Sequence, residues 1–428
     1  METRLLIALL EKKRILFLLD GADEMPAEQS YDLRNVYKEL LGYSYYLMTT
    51  RPYRLPPLSS FDYSWKILGF NLSEACQYVE KFFDALGSEK EEKIETLPAD
   101  VKEEKKSIVT DKKSDVIIEQ IKKNPVWRTL SRSPLLLELA CTLQHQVPEI
   151  KFLASMRTTD LYQGILQQLF WQYLHETLKK PIKGTTRKTS MQHPWSKTVI
   201  QVLQQLALVA KEADQINITT LLLEQVLKGC DYERAQAQDI LECSILKPTT
   251  SDDQGINACY FAHTSFLDFF LAQLIAEQIN RTAPPQIDLE WIQQHRYGPA
   301  YYPVWAFVAG ILRINNSSEK LDLFFNLLLA EPRYGSFYEI PLLMNCLEQC
   351  IAILVDPIIA PQNLMEHLIV KIKTILLDLM TDGNHEIPAT WLNILSLSPV
   401  VLQRMDLITS LRFQLKDQQQ QVRAAIIY

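Results

Sequence analysis

Glycine is scarce in this chain, which limits the number of tight turns it can form. Only 12 of its 428 residues are glycine, about 3 % against a usual ~7 %. Because glycine supplies many of the backbone conformations that tight turns require, its scarcity favours long helices joined by short loops. The mass of 49.5 kDa exceeds what one compact core usually holds, so we expect roughly two to four domains.

An excess of positive charge is also missing. The 44 basic and 51 acidic residues leave a formal net charge of −7. A chain with this balance has no basic field to hold nucleic-acid phosphates or an anionic membrane surface, so we expect neither partner. No apolar run approaches the ~20 residues that span a bilayer, and we therefore expect no membrane-spanning helix.

The seven cysteines are scattered along the sequence, and no two of them form a C-x-x-C pair. An odd, sparse set is typical of reduced thiols in a cytosol and not of a disulfide framework, which predicts a cytoplasmic protein. Cys346 and Cys350 lie four residues apart, but no histidine accompanies them as a further zinc ligand. We interpret both as core cysteines. The serine-hydrolase pattern G-x-S-x-G and the metalloprotease pattern H-E-x-x-H are absent as well.

Two short apolar runs near the amino-terminal end predict strands. The first run, at residues 14–19, stops before Asp20. The second run, at residues 45–49, follows a helical pattern at 32–41. Continuous apolar runs without alternation fit strands that are buried on both faces of a parallel sheet. The strand–helix–strand spacing is that of a right-handed crossover unit, and a third strand is predicted at 65–69. The first 70 residues are therefore predicted to be α/β.

The sequence DGADE at residues 20–24 follows the first of these runs directly and has the form of a Walker B motif. Asp20, at the carboxyl end of the strand, can hold Mg²⁺ through water. Asp23 and Glu24 can face a γ-phosphate and orient a water molecule. The alternative is a strand that runs into an acidic, helix-capping turn. We interpret all three as candidate catalytic residues and Asp20 as the metal ligand.

Arg51 follows the second run, within the sequence Thr-Thr-Arg-Pro. An arginine at this strand end can meet phosphate oxygens as a bidentate donor. The alternative is a solvated loop arginine. Its position after the DGADE motif favours the nucleotide-binding interpretation.

Beyond residue 71 the pattern changes to amphipathic helices. The charged segment 88–123, with 10 acidic and 9 basic side chains, is predicted to be a solvated insertion or a fraying helix, since it has little apolar surface to bury. From residue 289 onwards paired helices are predicted, separated at prolines such as Pro303 and Pro341. The other helical patterns occur at 72–83, 134–143, 159–177, 195–212, 219–227, 235–245 and 264–279.

The order of these motifs resembles the NACHT family of signalling NTPases, within the STAND class. After the Walker B form and Arg51, further similar segments run as far as about residue 350. They are WKILGFNLSEA at 65–75, LSRSPLLLEL at 130–139, TDLYQGIL at 159–166, YFAHTSFLDFFLA at 260–272 and YPVWAFVAGIL at 302–312.

The resemblance implies two further nucleotide-binding residues and a set of ligands. Pro134 matches the proline that packs near the adenine, and His263 matches the histidine that reaches the β-phosphate in the closed, ADP-bound state. From the residues alone, His263 could equally be a helix-capping or buried core histidine. ATP or ADP with Mg²⁺ are the ligands expected for the intact family. Protein partners and self-association are also implied, because nucleotide exchange in the family releases a closed monomer into an oligomer.

One departure from the family pattern concerns the phosphate loop. The sequence contains no G-x-x-x-x-G-K-[ST], so no such loop cradles the phosphates and no lysine of that motif neutralises them. We therefore expect a truncated relative that does not turn over ATP in this form, although the family hydrolyses ATP. Any ADP binding is expected to be weak, with a dissociation constant of about 1 mM.

The predicted fold class is mainly α with an amino-terminal α/β remnant. The expected domains are a partial P-loop NTPase core at 1–70, a helical lid at 71–150 with the charged insertion, a winged-helix domain at 151–282, a second helical domain at 283–405 and the start of a HEAT-like α-solenoid at 406–428. The predicted function is a nucleotide-dependent switch and oligomerisation module. The alternative is a non-catalytic helical scaffold for protein–protein interaction, which nucleotide binding would distinguish. The apolar end of the last segment is expected to promote self-association.

Overall fold

The chain is mainly helical, with a few short strands. The computed structural model describes residues 15–20, 45–49, 69–95, 111–147, 156–177, 186–215, 217–230, 245–252, 255–280, 289–315, 318–330 and 336–355, together with some single residues between and after these ranges. None of the helices in these ranges is long and apolar enough to cross a bilayer. The HEAT-like segment predicted at 406–428 lies outside the described residues.

Strands β1 (Phe17–Leu19) and β2 (Tyr46–Met48) pair in parallel, with Leu18 opposite Leu47. The predicted positions and the parallel direction are confirmed. The predicted burial on both faces is wrong, because one face of the pair exposes Leu18 (71 %) and Leu47 (48 %).

The third strand predicted at 65–69 is also wrong at the residues described there. Trp65 and Ile67 belong to no strand and are 79 % and 90 % exposed. Trp65 stacks on the ring of Tyr63, with 6.0 Å between the ring centroids. A short apolar run fits a strand only where a neighbouring strand is available to pair with it, and sequence does not show that.

A first helical group follows the strands. Asn71 and Glu74 start its first helix with a reciprocal cap: the Asn71 N–H donates to Glu74 Oε2 (2.8 Å), and the Glu74 N–H donates to Asn71 Oδ1 (3.0 Å). The group comprises α1 (Leu72–Glu95), α2 (Asp111–Lys123), α3 (Pro125–Leu130) and α4 (Pro134–Gln146).

The charged segment 88–123, predicted to be a solvated insertion or a fraying helix, is helical in the parts that the structure describes. Its first part continues α1 to Glu95, and its last part is α2. In α2, Ile117 and Ile121 are fully buried, while Asp115 and Glu119 are exposed. Two apolar residues spaced four positions apart on one face are enough to pack a helix whose overall composition is strongly charged.

A second group combines helices with a small antiparallel sheet. Strand β5 lies between β3 and β4 and pairs with both in antiparallel fashion. The elements in chain order are α5 (Thr158–Gln172) with a π-helical turn at Tyr173–Thr177, a 3₁₀ turn at Arg187–Gln192, α6 (Pro194–Glu212), β3 (Ile218–Thr219), α7 (Thr220–Gly229), β4 (Leu246–Asp252), β5 (Gly255–Phe261) and α8 (Thr264–Asn280).

Helix α8 lies at the centre of the core. Its predicted apolar stripe, Phe266, Phe269, Phe270 and Leu274, is buried as expected, but so are side chains on its other faces. The buried carboxylate on this helix, Asp268, is neutralised by Lys211 Nζ at 2.7 Å. Helix α8 is therefore surrounded by neighbours, with its one buried acid paired.

A third group is entirely helical in the part that the structure describes. It comprises α9 (Leu289–His295), a 3₁₀ turn at Pro299–Tyr301, α10 (Tyr302–Ile314), α11 (Ser318–Leu328) and α12 (Ser336–Val355). Pro303 stands in the first turn of α10, where the missing N–H costs nothing. Pro341, predicted to separate two helices, instead lies inside α12. Cys346 and Cys350 are fully buried free thiols on α12, which confirms them as core cysteines.

Arg296 shows how two of these helices are joined. It is fully buried after α9, and its Nη1 donates to the carbonyl oxygens of Leu328, at 3.3 Å, and Ala330. The guanidinium also lies 4.7 Å from the ring of Tyr297. These carbonyls form the carboxyl end of α11, where the helix dipole is negative, so the buried cation is compensated by backbone groups.

Candidate functional site

Asp20 and Thr49 meet at the shared carboxyl end of β1 and β2. The Thr49 N–H donates to the Leu19 carbonyl at 2.9 Å, extending the ladder one step beyond the strands. The Thr49 hydroxyl donates to Asp20 Oδ1. Parallel pairing brings both residues to one edge because strands running in the same direction end on the same side.

Asp20 is exposed at this edge, so its carboxylate is accessible to a ligand. The Thr49 bond to Oδ1 orients the carboxyl group. A carboxylate and a hydroxyl are the oxygen ligands that Mg²⁺ accepts, directly or through water. The residues present fit the predicted metal role of Asp20. The other predicted residues of this edge, Asp23, Glu24 and Arg51, lie outside the described residues.

Pro134 opens α4 at the position that favours proline. The side chain of Ser133 caps the same helix by accepting from the Leu136 N–H at 3.4 Å. Just before α1, the Phe70 N–H donates to the Arg132 carbonyl at 2.9 Å. Gly69 has a φ of +78°, and a Cβ there would lie 2.1 Å from the Arg132 carbonyl oxygen. Only glycine allows this close approach, which holds the entry to α1 against the turn before Pro134.

His263 precedes α8 and is exposed. Its Nδ1 accepts from the Ser265 N–H at 3.1 Å and lies 2.6 Å from Ser265 Oγ. The Ser265 hydroxyl in turn accepts from the hydroxyl of Tyr162 on α5 at 2.5 Å. His263 therefore caps the start of α8, as the helix-capping alternative predicted, and its ring is exposed at the same time. Sequence reasoning missed Tyr162, which lies 103 positions from Ser265 and shares no motif with it.

Asp20, Pro134 and His263 thus lie on three parts of the fold: the end of β1, the start of α4 and the start of α8. The structure brings Asp20 together with Thr49, and His263 with Ser265 and Tyr162. Among the residues that the structure describes, no group of three or more His, Cys, Asp or Glu side chains forms a metal site.

A buried ionic cluster, also missed by sequence reasoning, lies where α5, α10 and α12 meet. Arg313 of α10 pairs with Asp160 of α5 at 2.5 Å. Glu348 of α12 is 8 % exposed and accepts from the Val401 N–H at 3.4 Å. Burial raises the pKa of Glu348 to about 7, while nearby Arg157 and the Val401 N–H act in the opposite direction. The one signal in the sequence was a charged residue within an apolar helical run at 340–355.

Comparison with known proteins adds no family assignment. No protein-family model matches the chain, and no curated protein matches it at a significant level. The resemblance to NACHT proteins therefore stays a prediction from the motifs.

Proposed function

We propose that this chain carries part of the nucleotide-dependent switch of a NACHT-type, STAND-class signalling ATPase. The observation that carries the proposal is the meeting of Asp20 and Thr49 at the common end of two parallel strands. A Walker B strand and its neighbour require this arrangement, because the metal-holding carboxylate and the phosphate-sensing residues must face the same ligand.

The residues of this edge would act on the phosphate side of a nucleotide. Asp20 would hold Mg²⁺ through water, and Thr49 would keep the carboxylate in one orientation. Bound Mg²⁺ would supply charge neutralisation for the phosphate oxygens. Arg51, two positions after Thr49, would add a bidentate donor.

His263 would contribute from the start of α8. Since its Nδ1 accepts a backbone N–H, the proton of the neutral ring is on Nε2, the nitrogen that can donate to an anionic oxygen. We assign to this donor the β-phosphate of ADP, and to Pro134 a packing role beside the base. The antiparallel sheet with helices α6 to α8 would be the winged-helix domain, and α9 to α12 the second helical domain.

Catalysis by this chain alone is not part of the proposal. Phosphoryl transfer depends on positioning and neutralising the phosphates, and the sequence has no G-x-x-x-x-G-K-[ST] loop for that purpose. The proposed role is nucleotide-responsive binding coupled to self-association.

The test is equilibrium binding of a fluorescent ADP derivative to the full chain in the presence of Mg²⁺. We expect a dissociation constant of about 1 mM, and Asp20→Asn or His263→Ala should raise it about fivefold or more. Asp115→Asn, which removes an exposed carboxylate on α2, is the matched control and should bind as the unchanged chain does.

Absence of saturable binding, or equal binding by all variants, would contradict the proposal. That outcome would favour the helical interaction scaffold. Sedimentation velocity with and without ADP then tests the oligomerisation part, since a switch requires the association state to depend on nucleotide.

A further inference from the structure

The imidazole of His263 is held from one side by Ser265. The Ser265 N–H donates to His263 Nδ1 at 3.1 Å. The Ser265 hydroxyl oxygen lies 2.6 Å from the same nitrogen. A backbone N–H can only donate, so Nδ1 must be the unprotonated nitrogen of the ring. The single hydroxyl proton of Ser265 is then directed to the same nitrogen.

Tyr162 determines the direction of that second bond. Its hydroxyl donates to Ser265 Oγ at 2.5 Å, which leaves the serine proton for His263. Tyr162 is 1 % exposed, and burial raises its pKa to about 12. The phenol therefore stays protonated at neutral pH and remains a donor.

The Tyr162 ring has little freedom to turn away. It stacks on Phe269 of α8 with 5.6 Å between centroids, and it meets Phe307 of α10 edge-on at 5.1 Å. Aromatic contacts of this kind fix both the position and the tilt of a ring. The hydroxyl is thus presented to Ser265 by packing that involves three helices.

We propose that Tyr162 is a positioning residue that acts through Ser265 to hold His263 with its proton on Nε2, directed to the phosphate of a nucleoside diphosphate. The phosphate part of this inference rests on the proposed function. The relay itself, Tyr162 hydroxyl to Ser265 hydroxyl to His263 Nδ1, stands on the geometry alone. It connects the packing of α5, α8 and α10 to the tautomer of one exposed histidine.

The experiment measures the ring nitrogens of His263 directly in the full chain. Histidine rings are labelled with ¹⁵N, the two nitrogen shifts are read from two-bond correlation spectra, and His263→Gln assigns the signals. We expect Nδ1 to have the shift of a hydrogen-bonded acceptor and Nε2 that of a protonated nitrogen. In Tyr162→Phe, the Nδ1 signal should move towards that of an acceptor with weaker hydrogen bonds, because polarisation along the chain is lost.

Matched variants separate positioning from folding. Tyr173→Phe removes the hydroxyl of another buried tyrosine, in the π-helical turn after α5, and should leave the His263 signals unchanged. Ser265→Ala should shift Nδ1 further than Tyr162→Phe does, and Ser265→Thr, which keeps a hydroxyl, should restore the signal. Ser265→Ala also tests the relay if the phenylalanine variant does not fold. A proton on Nδ1, or an Nδ1 shift that ignores both Tyr162→Phe and Ser265→Ala, would overturn the relay.

Binding of fluorescent ADP forms a second, separate arm. We expect Tyr162→Phe to weaken ADP binding about fivefold, the equivalent of one ordinary hydrogen bond. If the ring signals shift as expected but the unchanged chain binds no ADP, the relay stands and the proposed function fails. If ADP binds and depends on His263 but not on Tyr162, the positioning role fails while the proposed function survives.

Discussion

Replacing Glu348 with glutamine should remove a pH dependence from the stability of the fold. Glu348 is buried on α12, with its Oε2 accepting from the Val401 N–H at 3.4 Å. Glutamine has nearly the same shape and can still accept that bond, but it cannot ionise. The substitution therefore isolates the cost of placing a carboxylate charge in this position.

The sign of the effect follows from the direction of the pKa shift. Burial raises the pKa of Glu348 from 4.5 to about 7, so between these values the folded chain binds more protons than the unfolded chain. The free energy of unfolding must then fall as the pH rises. At ~1.4 kcal/mol per pKa unit the full loss is about 3 kcal/mol, of which about 2 kcal/mol falls between about pH 5.5 and pH 8.5.

Urea unfolding at a series of pH values, followed by tryptophan fluorescence and circular dichroism, measures this quantity. Glu348→Gln should gain about 2 kcal/mol relative to the unchanged chain across that pH range. Glu290→Gln removes an exposed glutamate on α9 and controls for the loss of one negative charge. A difference between unchanged and Glu348→Gln chains that does not vary with pH would refute the reasoning. It would mean that Arg157 keeps the carboxylate ionised throughout.

Two further predictions concern packing. Gly310→Ala should lower the free energy of unfolding by about 1–3 kcal/mol, because a Cβ there would lie 2.0 Å from Thr159 Oγ1. Gly229→Ala is the control: apart from its own helix and chain neighbours, a Cβ there meets no atom within 4 Å, so the thermal midpoint should stay nearly unchanged. Equal effects of the two substitutions would contradict the packing argument. Arg296→Met should cost about 2 kcal/mol or more, because it removes the buried donor from the carbonyls that end α11; an Arg296→Met chain that melts with the unchanged one would show that these carbonyls find other partners.

Local elements were determined by the sequence to a useful degree. The apolar run before Asp20 predicted β1 and the position of the carboxylate at its end, because strands favour apolar side chains along their length and end where polar residues begin. The spacing of Phe266, Phe269 and Phe270 predicted the buried stripe of α8, because residues three and four positions apart lie on one face of a helix. The apolar run at 65–69 misled, since Trp65 and Ile67, which the structure describes, belong to no strand. The charge-rich segment at 111–123 concealed a helix that docks through Ile117 and Ile121.

Contacts between distant parts of the chain were decided only by the tertiary structure. No spacing rule joins Tyr162 to Ser265, 103 positions away, or Asp160 to Arg313, 153 positions away. Periodicity states which face of a helix is apolar, but the partner of that face depends on how all the helices pack together. The sequence could therefore single out His263 as a candidate, while the hydroxyls that orient its ring became visible only when α5 and α8 were packed against each other.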